Sequence, residues 1–192
     1  NQGQRTDLYD AVAMLGRHRS VQECVADDGF ATTYVKYSSG FNRLAALKGI
    51  GIYTPTEPEE KSVVALWGGT GTGKTHTAYT SLRTLYPEEQ PWFASDLSGR
   101  WFDGYAAQRG VIFDDFRGYR SEMKVDQFLR LTDKWPMQVP VKGSFVNWNP
   151  RTIYITSNED PAEWYYNESA NTQAAVARRL SSVIHLNEPY RG

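Results

Sequence analysis

The chain has a single cysteine, Cys24, in 192 residues. No intramolecular disulfide can form, and no Cys-rich zinc site can be built. Histidine is almost as scarce. His18, His76 and His185 are the three present, and none has a partner at ligand spacing, which argues against a His-based metal centre. No apolar run approaches the ~18 residues that a membrane span needs, and the first residues carry no secretory pattern. A soluble, intracellular protein is expected. An excess of one charge is also missing. Lys and Arg number 21 against 22 Asp and Glu, for a formal net charge of -1. The chain as a whole does not advertise a nucleic-acid binder, but a local basic site, for example one lining a channel, is compatible with this balance. An N-terminal Met is lacking too: the chain begins Asn1-Gln2-Gly3, and the expectation is a piece of something longer.

Apolar and aromatic residues are plentiful. They make up 40% and 14% of the chain, with 6 Trp and 12 Tyr, enough to build a core and to exclude global disorder. Residues 5–47 read as helical. Leu8, Val12 and Leu15 fall on one face, and Gly16 can end that helix. Ser20 can cap a helix from Val21 to Ala26, which Asp27-Asp28-Gly29 breaks. Tyr34, Tyr37, Phe41, Leu44 and Leu47 continue a helical spacing, with Ser38-Ser39-Gly40 as a bend. The segment 51–60, with Pro55 and Pro58 among acids, reads as a linker. The expected organisation is a helical domain over 1–50 and an α/β domain over 61–192, in which strands and helices alternate around a parallel sheet.

The most informative stretch is Gly68-Gly69-Thr70-Gly71-Thr72-Gly73-Lys74-Thr75, which fits G-x-x-x-x-G-K-[ST]. Val63 to Trp67 is an apolar run of strand length before it, and Thr75 to Leu85 can form a helix after it, stopped by Pro87. Glycines let several backbone N–H groups turn toward one anion, and the helix N-terminus adds partial positive charge. Lys74 can reach the β- and γ-phosphate oxygens, and the Thr75 hydroxyl can ligate Mg²⁺. A bound nucleotide is therefore expected.

Val111 to Phe116 is a second apolar run, interrupted by Asp114 and Asp115. Ligands gather at the carboxyl ends of parallel strands, so these acids fall beside the loop if the strands are neighbours. Asp114 is assigned to the metal and Asp115 to orienting or deprotonating the attacking water. Thr152 to Asn158 is another apolar strand with a polar end. Asn158 can contact the γ-phosphate or position water, and it can equally be a turn former.

Two further signals remain open on residues alone. Arg178-Arg179 follow a helix-compatible stretch, Asn171 to Ala177, and precede the strand-like Leu180 to Leu186. An arginine reaching across a subunit interface stabilises developing charge in phosphoryl transfer, but basic residues also simply complement a helix end, and the residues alone favour that reading. Pro136 to Pro150 holds a β-hairpin with Lys142-Gly143-Ser144 at its turn. Lys142 can touch a phosphate or be an ordinary surface lysine. Phe145 and Trp148 can pack internally or stack on bases.

The order of these signals resembles the superfamily 3 helicase domain of Rep, the replication initiator of circular single-stranded DNA viruses, the circovirus-like Reps most closely. The resemblance runs over Gly68–Thr75, Trp101-Phe102-Asp103-Gly104-Tyr105, Val111–Phe116, Lys142-Gly143, Ile153–Asn158 with Pro161-Ala162-Glu163-Trp164-Tyr165, and Arg178-Arg179-Leu180. It implies an AAA+ type P-loop NTPase that uses ATP and Mg²⁺, forms a hexameric ring, and moves 3′ to 5′ on single-stranded DNA, as a soluble viral protein in the host nucleus. It implies Walker A roles for Lys74 and Thr75, Walker B roles for Asp114 and Asp115, and a sensor role for Asn158. Lys142, with Gly143 and Ser144, becomes the DNA-contacting hairpin tip. One of Arg178 and Arg179 becomes the arginine finger, Arg179 being preferred, and residues 5–47 become an oligomerisation collar. The residues alone give Trp101–Tyr105 no physical role.

The nicking endonuclease of full-length Reps needs a His-hydrophobe-His motif and a Tyr-x-x-Lys pattern. No two histidines here are two apart, and Tyr34-Val35-Lys36-Tyr37 does not supply the second pattern. Nicking is not expected of this chain. Two rival readings stay in view: a P-loop nucleotide kinase, and an oligomeric nucleic-acid scaffold that binds nucleotide without turnover.

Overall fold

The computed structural model describes residues 6–17, 24–47, 58 and 60–190. The chain divides into two compact units, residues 1–55 and 56–192. In the first unit, helix α1 spans Thr6–Arg17 and helix α2 spans Asp28–Leu47. Four-residue spacing puts Ala11 and Leu15 on one face of α1, and both are buried with Cys24, Phe30 and Phe41. The break between helices is shorter than the sequence suggests. Asp27 Oδ1 accepts the Phe30 backbone N–H at 2.9 Å, so Asp27 caps α2 while Asp28 and Gly29 enter its first turn. The bend falls at Tyr37 (φ −131°, ψ 25°), just ahead of Ser38-Ser39-Gly40. The Ser20 cap and most of the 51–60 linker lie outside the described residues.

The second unit contains strands β1 (Ser62–Trp67), β2 (Trp92–Phe93), β3 (Gly110–Phe113), β4 (Met137–Val141), β5 (Ser144–Trp148), β6 (Thr152–Ser157) and β7 (Ser182–His185). Its helices are α3 (Lys74–Leu85), α4 (Val125–Leu131) and α5 (Ala170–Arg179). A five-stranded parallel sheet runs in the order β2-β3-β6-β1-β7, and β4 and β5 form a separate antiparallel hairpin. The central strands read as nearly continuous apolar runs because both faces are covered. Alternation divides them. Val63, Ala65, Val111, Phe113, Ile153 and Ile155 enter one core with the hairpin, α4 and Val176 of α5. Val64, Leu66 and Ile112 enter the other, against Ala78 and Leu82 of α3.

Two expected boundaries shift. Ser169 caps α5 by accepting the Thr172 N–H at 3.2 Å, and the helix runs to Arg179. Arg178 and Arg179 thus occupy its last turn rather than following it. The last strand is Ser182–His185, shorter than Leu180–Leu186: the register with β1 covers those residues, and Ser181 and Leu186 add single backbone bonds to Val63 and Trp67 at its ends. Among the described residues, no helix is long and apolar enough to cross a membrane.

Candidate nucleotide site and hairpin

All five sheet strands are parallel, so their carboxyl ends share one edge. The glycine-rich loop leaves β1 there and ends at Gly73, and Lys74 begins α3. Gly73 has φ +78°, and a Cβ on it would lie 2.6 Å from the Tyr190 ring. Both the left-handed backbone and the close ring demand glycine. Tyr190 is fixed against the loop by its own N–H, which donates to the Gly71 carbonyl at 3.0 Å. Lys74 is buried, and its Nζ donates to the Gly68 and Gly69 carbonyls at 2.9 and 2.7 Å. Its cation therefore stays within the loop's curve, where loop N–H groups and the α3 N-terminus converge.

The strands carrying the loop and the acids are not neighbours, as the simplest expectation had them. β6 lies between them. The acids still reach the loop, because β6 supplies polar side chains at its end. Asp114 Oδ1 accepts two hydroxyls, Thr75 Oγ1 at 2.7 Å and Thr156 Oγ1 at 2.6 Å. Thr156 Oγ1 in turn accepts the Asp115 backbone N–H at 2.9 Å. Asp115 sits at φ +60°, a conformation uncommon outside glycine but tolerated by Asp, and its carboxylate takes a partner of its own. Asn158 Nδ2 donates to Asp115 Oδ1 at 3.1 Å. Thr75, Asp114, Thr156, Asp115 and Asn158 thus form one hydrogen-bonded group, and Lys74 adjoins it in sequence while its Nζ stays on the loop carbonyls.

This group fits Mg²⁺. Thr75 and Asp114 offer hard oxygens already in contact, and among the described residues no cluster of three or more His, Cys, Asp and Glu could cage a metal. Mg²⁺ typically takes one or two protein oxygens and completes its shell with phosphates and water.

The hairpin places Lys142 and Gly143 in a two-residue turn between β4 and β5, with Gly143 at φ +80°. The Lys142 side chain is 88% exposed. The side chain of Ser144 lies outside the described residues. Phe145 is exposed, but Trp148 is fully buried, so stacking of bases on Trp148 is ruled out. Its ring instead packs on Phe102 and Tyr105 at 5.1 and 4.8 Å, and its Nε1 donates to the Leu131 carbonyl at 2.9 Å. Trp101–Tyr105 thereby gains a physical role. Phe102 and Tyr105 are buried among Trp92, Phe113 and Trp148. The Phe102 N–H donates to the Pro140 carbonyl of β4 at 3.0 Å, and Trp92 Nε1 donates to the Asp103 carbonyl at 3.1 Å. Burial holds the Tyr105 phenol well above its usual pKa, so it stays a neutral donor, to the Gln108 carbonyl.

A family model described as RNA helicase matches residues 64–159, half of the chain and the part that contains the loop, the acids, the hairpin and Asn158. The chain belongs to the RNA helicase family. Its relatives there are circovirus-like. The replication-associated protein of Pigeon circovirus is 36% identical over 187 residues, covering 96% of this chain and 53% of that protein. Those of Canary circovirus and Porcine circovirus 1 are 34% and 32% identical, covering 96% and 95% of this chain and 57% and 54% of theirs. The chain spans a little over half the length of these relatives. Among solved structures, the S. cerevisiae Hsp104–ADP complex aligns with a TM-score of 0.41 and 13% identity, over 80% of this chain and 33% of that chain. The motif resemblance and the family agree, and the fold is the expected α/β P-loop NTPase with a central parallel sheet.

Within this helicase-family domain the two arginines stand apart from the loop cluster. Arg179 is ion-paired to Asp133 at 2.9 Å, whereas Arg178 is exposed. Neither joins Lys74, Asp114 or Asp115 through a hydrogen bond or ion pair among the described residues. Sequence reasoning missed two residues. Thr156 bridges both acids, and its signal was a threonine inside an apolar strand, a place where a hydroxyl needs a partner. Asp103, which accepts the Lys142 backbone N–H at the hairpin tip, was visible only as part of an unexplained motif.

Proposed function

We propose that this chain is the ATP-hydrolysing motor of a viral replication helicase. The observation that carries this reading is the contact of Thr75 Oγ1 with Asp114 Oδ1 at 2.7 Å, which joins the phosphate loop to the acidic strand end. ATP is the substrate, and its β- and γ-phosphates would be held by loop N–H groups and by Lys74, which exchanges the Gly68 and Gly69 carbonyls for phosphate oxygens. Thr75 and Asp114 would hold Mg²⁺, which when bound offsets charge on the phosphates. Asp115 orients the attacking water and accepts its proton, and Asn158 fixes the Asp115 carboxylate. Thr156 keeps the two acids in register.

The chain acts as a ring, a hexamer by the family resemblance, with each ATP at a seam between subunits. The residues supporting a seam are the arginines, which lie away from their own loop. Arg178 is the better-presented finger, because Arg179 would have to leave Asp133 first. Residues 1–50 serve as the oligomerisation collar. The Lys142-Gly143-Ser144 tip contacts single-stranded DNA phosphates in the channel, which reconciles DNA work with a net charge of -1. The working compartment is the host nucleus.

The deciding experiment measures ATP turnover against protein concentration, with and without single-stranded DNA or RNA, for the unmodified chain and Lys74→Ala. Turnover should rise with concentration and with DNA more than RNA, and Lys74→Ala should lose it. Turnover kept by Lys74→Ala refutes the loop assignment. Phosphate delivered to an added nucleotide acceptor makes the chain a kinase, and binding without turnover makes it a scaffold. A greater stimulation by RNA replaces the DNA assignment.

A further inference from the structure

An acid sits where the proposed function least needs one. Asp103 Oδ1 accepts the backbone N–H of Lys142 at 2.8 Å, and its Oδ2 lies 3.6 Å from Lys142 Nζ. The carboxylate thus holds the hairpin tip by its backbone and at the same time offers a counter-charge to the cation that would meet a phosphate. Its own position is rigid. The Asp103 carbonyl accepts the Trp92 indole N–H, and the preceding Phe102 is buried and bonded to Pro140 of β4. The two side chains differ in freedom: Lys142 is 88% exposed and Asp103 33%. The acid is anchored and the lysine is free to swing.

We propose that Asp103 is a positioning residue for nucleic-acid binding. Oδ1 fixes the tip permanently, and Oδ2 is the resting partner of Lys142 that a backbone phosphate displaces. The inference rests on the reading of Lys142 as a phosphate contact. It also accounts for Trp101–Tyr105, whose aromatics mount the hairpin on the core and whose acid sets how readily the tip lysine engages. An exposed pair of this kind is weak enough for phosphate to replace. A carboxylate beside the tip also penalises a wrongly seated strand, whose phosphate then faces a like charge.

Two substitutions separate the roles of the two oxygens. Asp103→Asn keeps an oxygen for the Lys142 N–H and removes the charge. Asp103→Ala removes both. Hydrogen exchange at the Lys142 amide reads the mount without any nucleic acid. Protection should survive Asp103→Asn and fall in Asp103→Ala. Titration of labelled oligodeoxythymidine across salt concentrations reads the restraint. Asp103→Asn should bind roughly two- to fivefold tighter at low salt, with the gain shrinking as salt screens the exposed pair. The gain should vanish when Lys142→Ala is added. Equal amide protection in Asp103→Ala and the unmodified chain overturns the mount. No gain in Asp103→Asn, or a gain that persists without Lys142, overturns the restraint. If Lys142→Ala alone leaves oligodeoxythymidine binding unchanged, the proposed DNA contact itself fails, whatever the amide shows.

Discussion

Replacing Thr156 with valine tests whether one hydroxyl ties the candidate site together. Valine keeps the shape and branching of threonine, so the 1% exposed position stays filled. Two bonds are lost together: the 2.6 Å donation to Asp114 Oδ1 and the 2.9 Å acceptance from the Asp115 N–H. The first is assisted by charge and contributes ~1.5–3 kcal/mol where dry, less here because Asp114 is partly exposed and keeps the Thr75 hydroxyl. The second leaves an N–H that water can reach, because Asp115 is exposed, so its loss adds at most ~1 kcal/mol. The sum is ~2 kcal/mol, which for a unit of this size lowers Tm by ~6 °C. Turnover should fall further than stability does, because Asp115 is also released from its φ +60° turn and its carboxylate loses alignment with Asn158. Urea melts with and without nucleotide, together with ATP turnover measured well below the melting range, give both numbers, and Thr156→Ser should restore most of each. If Thr156→Val melts like the unmodified chain, the bridge contributes nothing to the fold. If it is destabilised but turns over ATP at an undiminished rate, Thr156 is a packing residue and the account of the acids is wrong.

Trp148→Ala removes a fully buried ring and orphans the Leu131 carbonyl, so a urea melt should show a loss of ~3–5 kcal/mol; a loss under ~1 kcal/mol would mean that the hairpin is not joined to the core. Asp96 provides a pH test. Burial alone would raise its pKa, but hydrogen bonds from the Ser98 hydroxyl and from the Ser98 and Trp101 N–H groups, with the Arg100 charge, outweigh it and lower it below the ordinary 3.8. Its charged form therefore stabilises the fold above the unfolded pKa, and that contribution is lost as pH falls through the lower folded value. The stability gap between the unmodified chain and Asp96→Asn should be full at neutral pH and close below about pH 4; a gap unchanged between pH 7 and pH 3 refutes the assignment.

Much of the site was legible because its parts are contiguous. The loop is an uninterrupted stretch with a strand before it and a helix after it, and each acid or amide stands at the end of an apolar run. Parallel strands buried on both faces write their own boundaries into the sequence, and ligands collect at their carboxyl ends. The hairpin turn was readable for the same local reason, since Lys142-Gly143 needs a positive φ that Gly143 supplies. Asp27 shows the limit even of local reading. Asp27-Asp28-Gly29 looks like a break, and only the Phe30 N–H shows Asp27 to be a cap.

Contacts between distant segments were not legible. Nothing in the order of residues says that β6 lies between β1 and β3, and that placement makes Thr156 the bridge between acids. Trp148 could face bases or the core on sequence grounds, and the rings of Phe102 and Tyr105 decide for the core. Arg178 and Arg179 are adjacent and chemically identical, and only Asp133, 46 residues away from Arg179, tells them apart. The sequence by itself determined which side chains are candidates to hold phosphate, metal and water, because that chemistry belongs to residue types at short spacing. The tertiary structure alone decided which of them meet, because strand order and packing bring together residues whose separation along the chain carries no record of it.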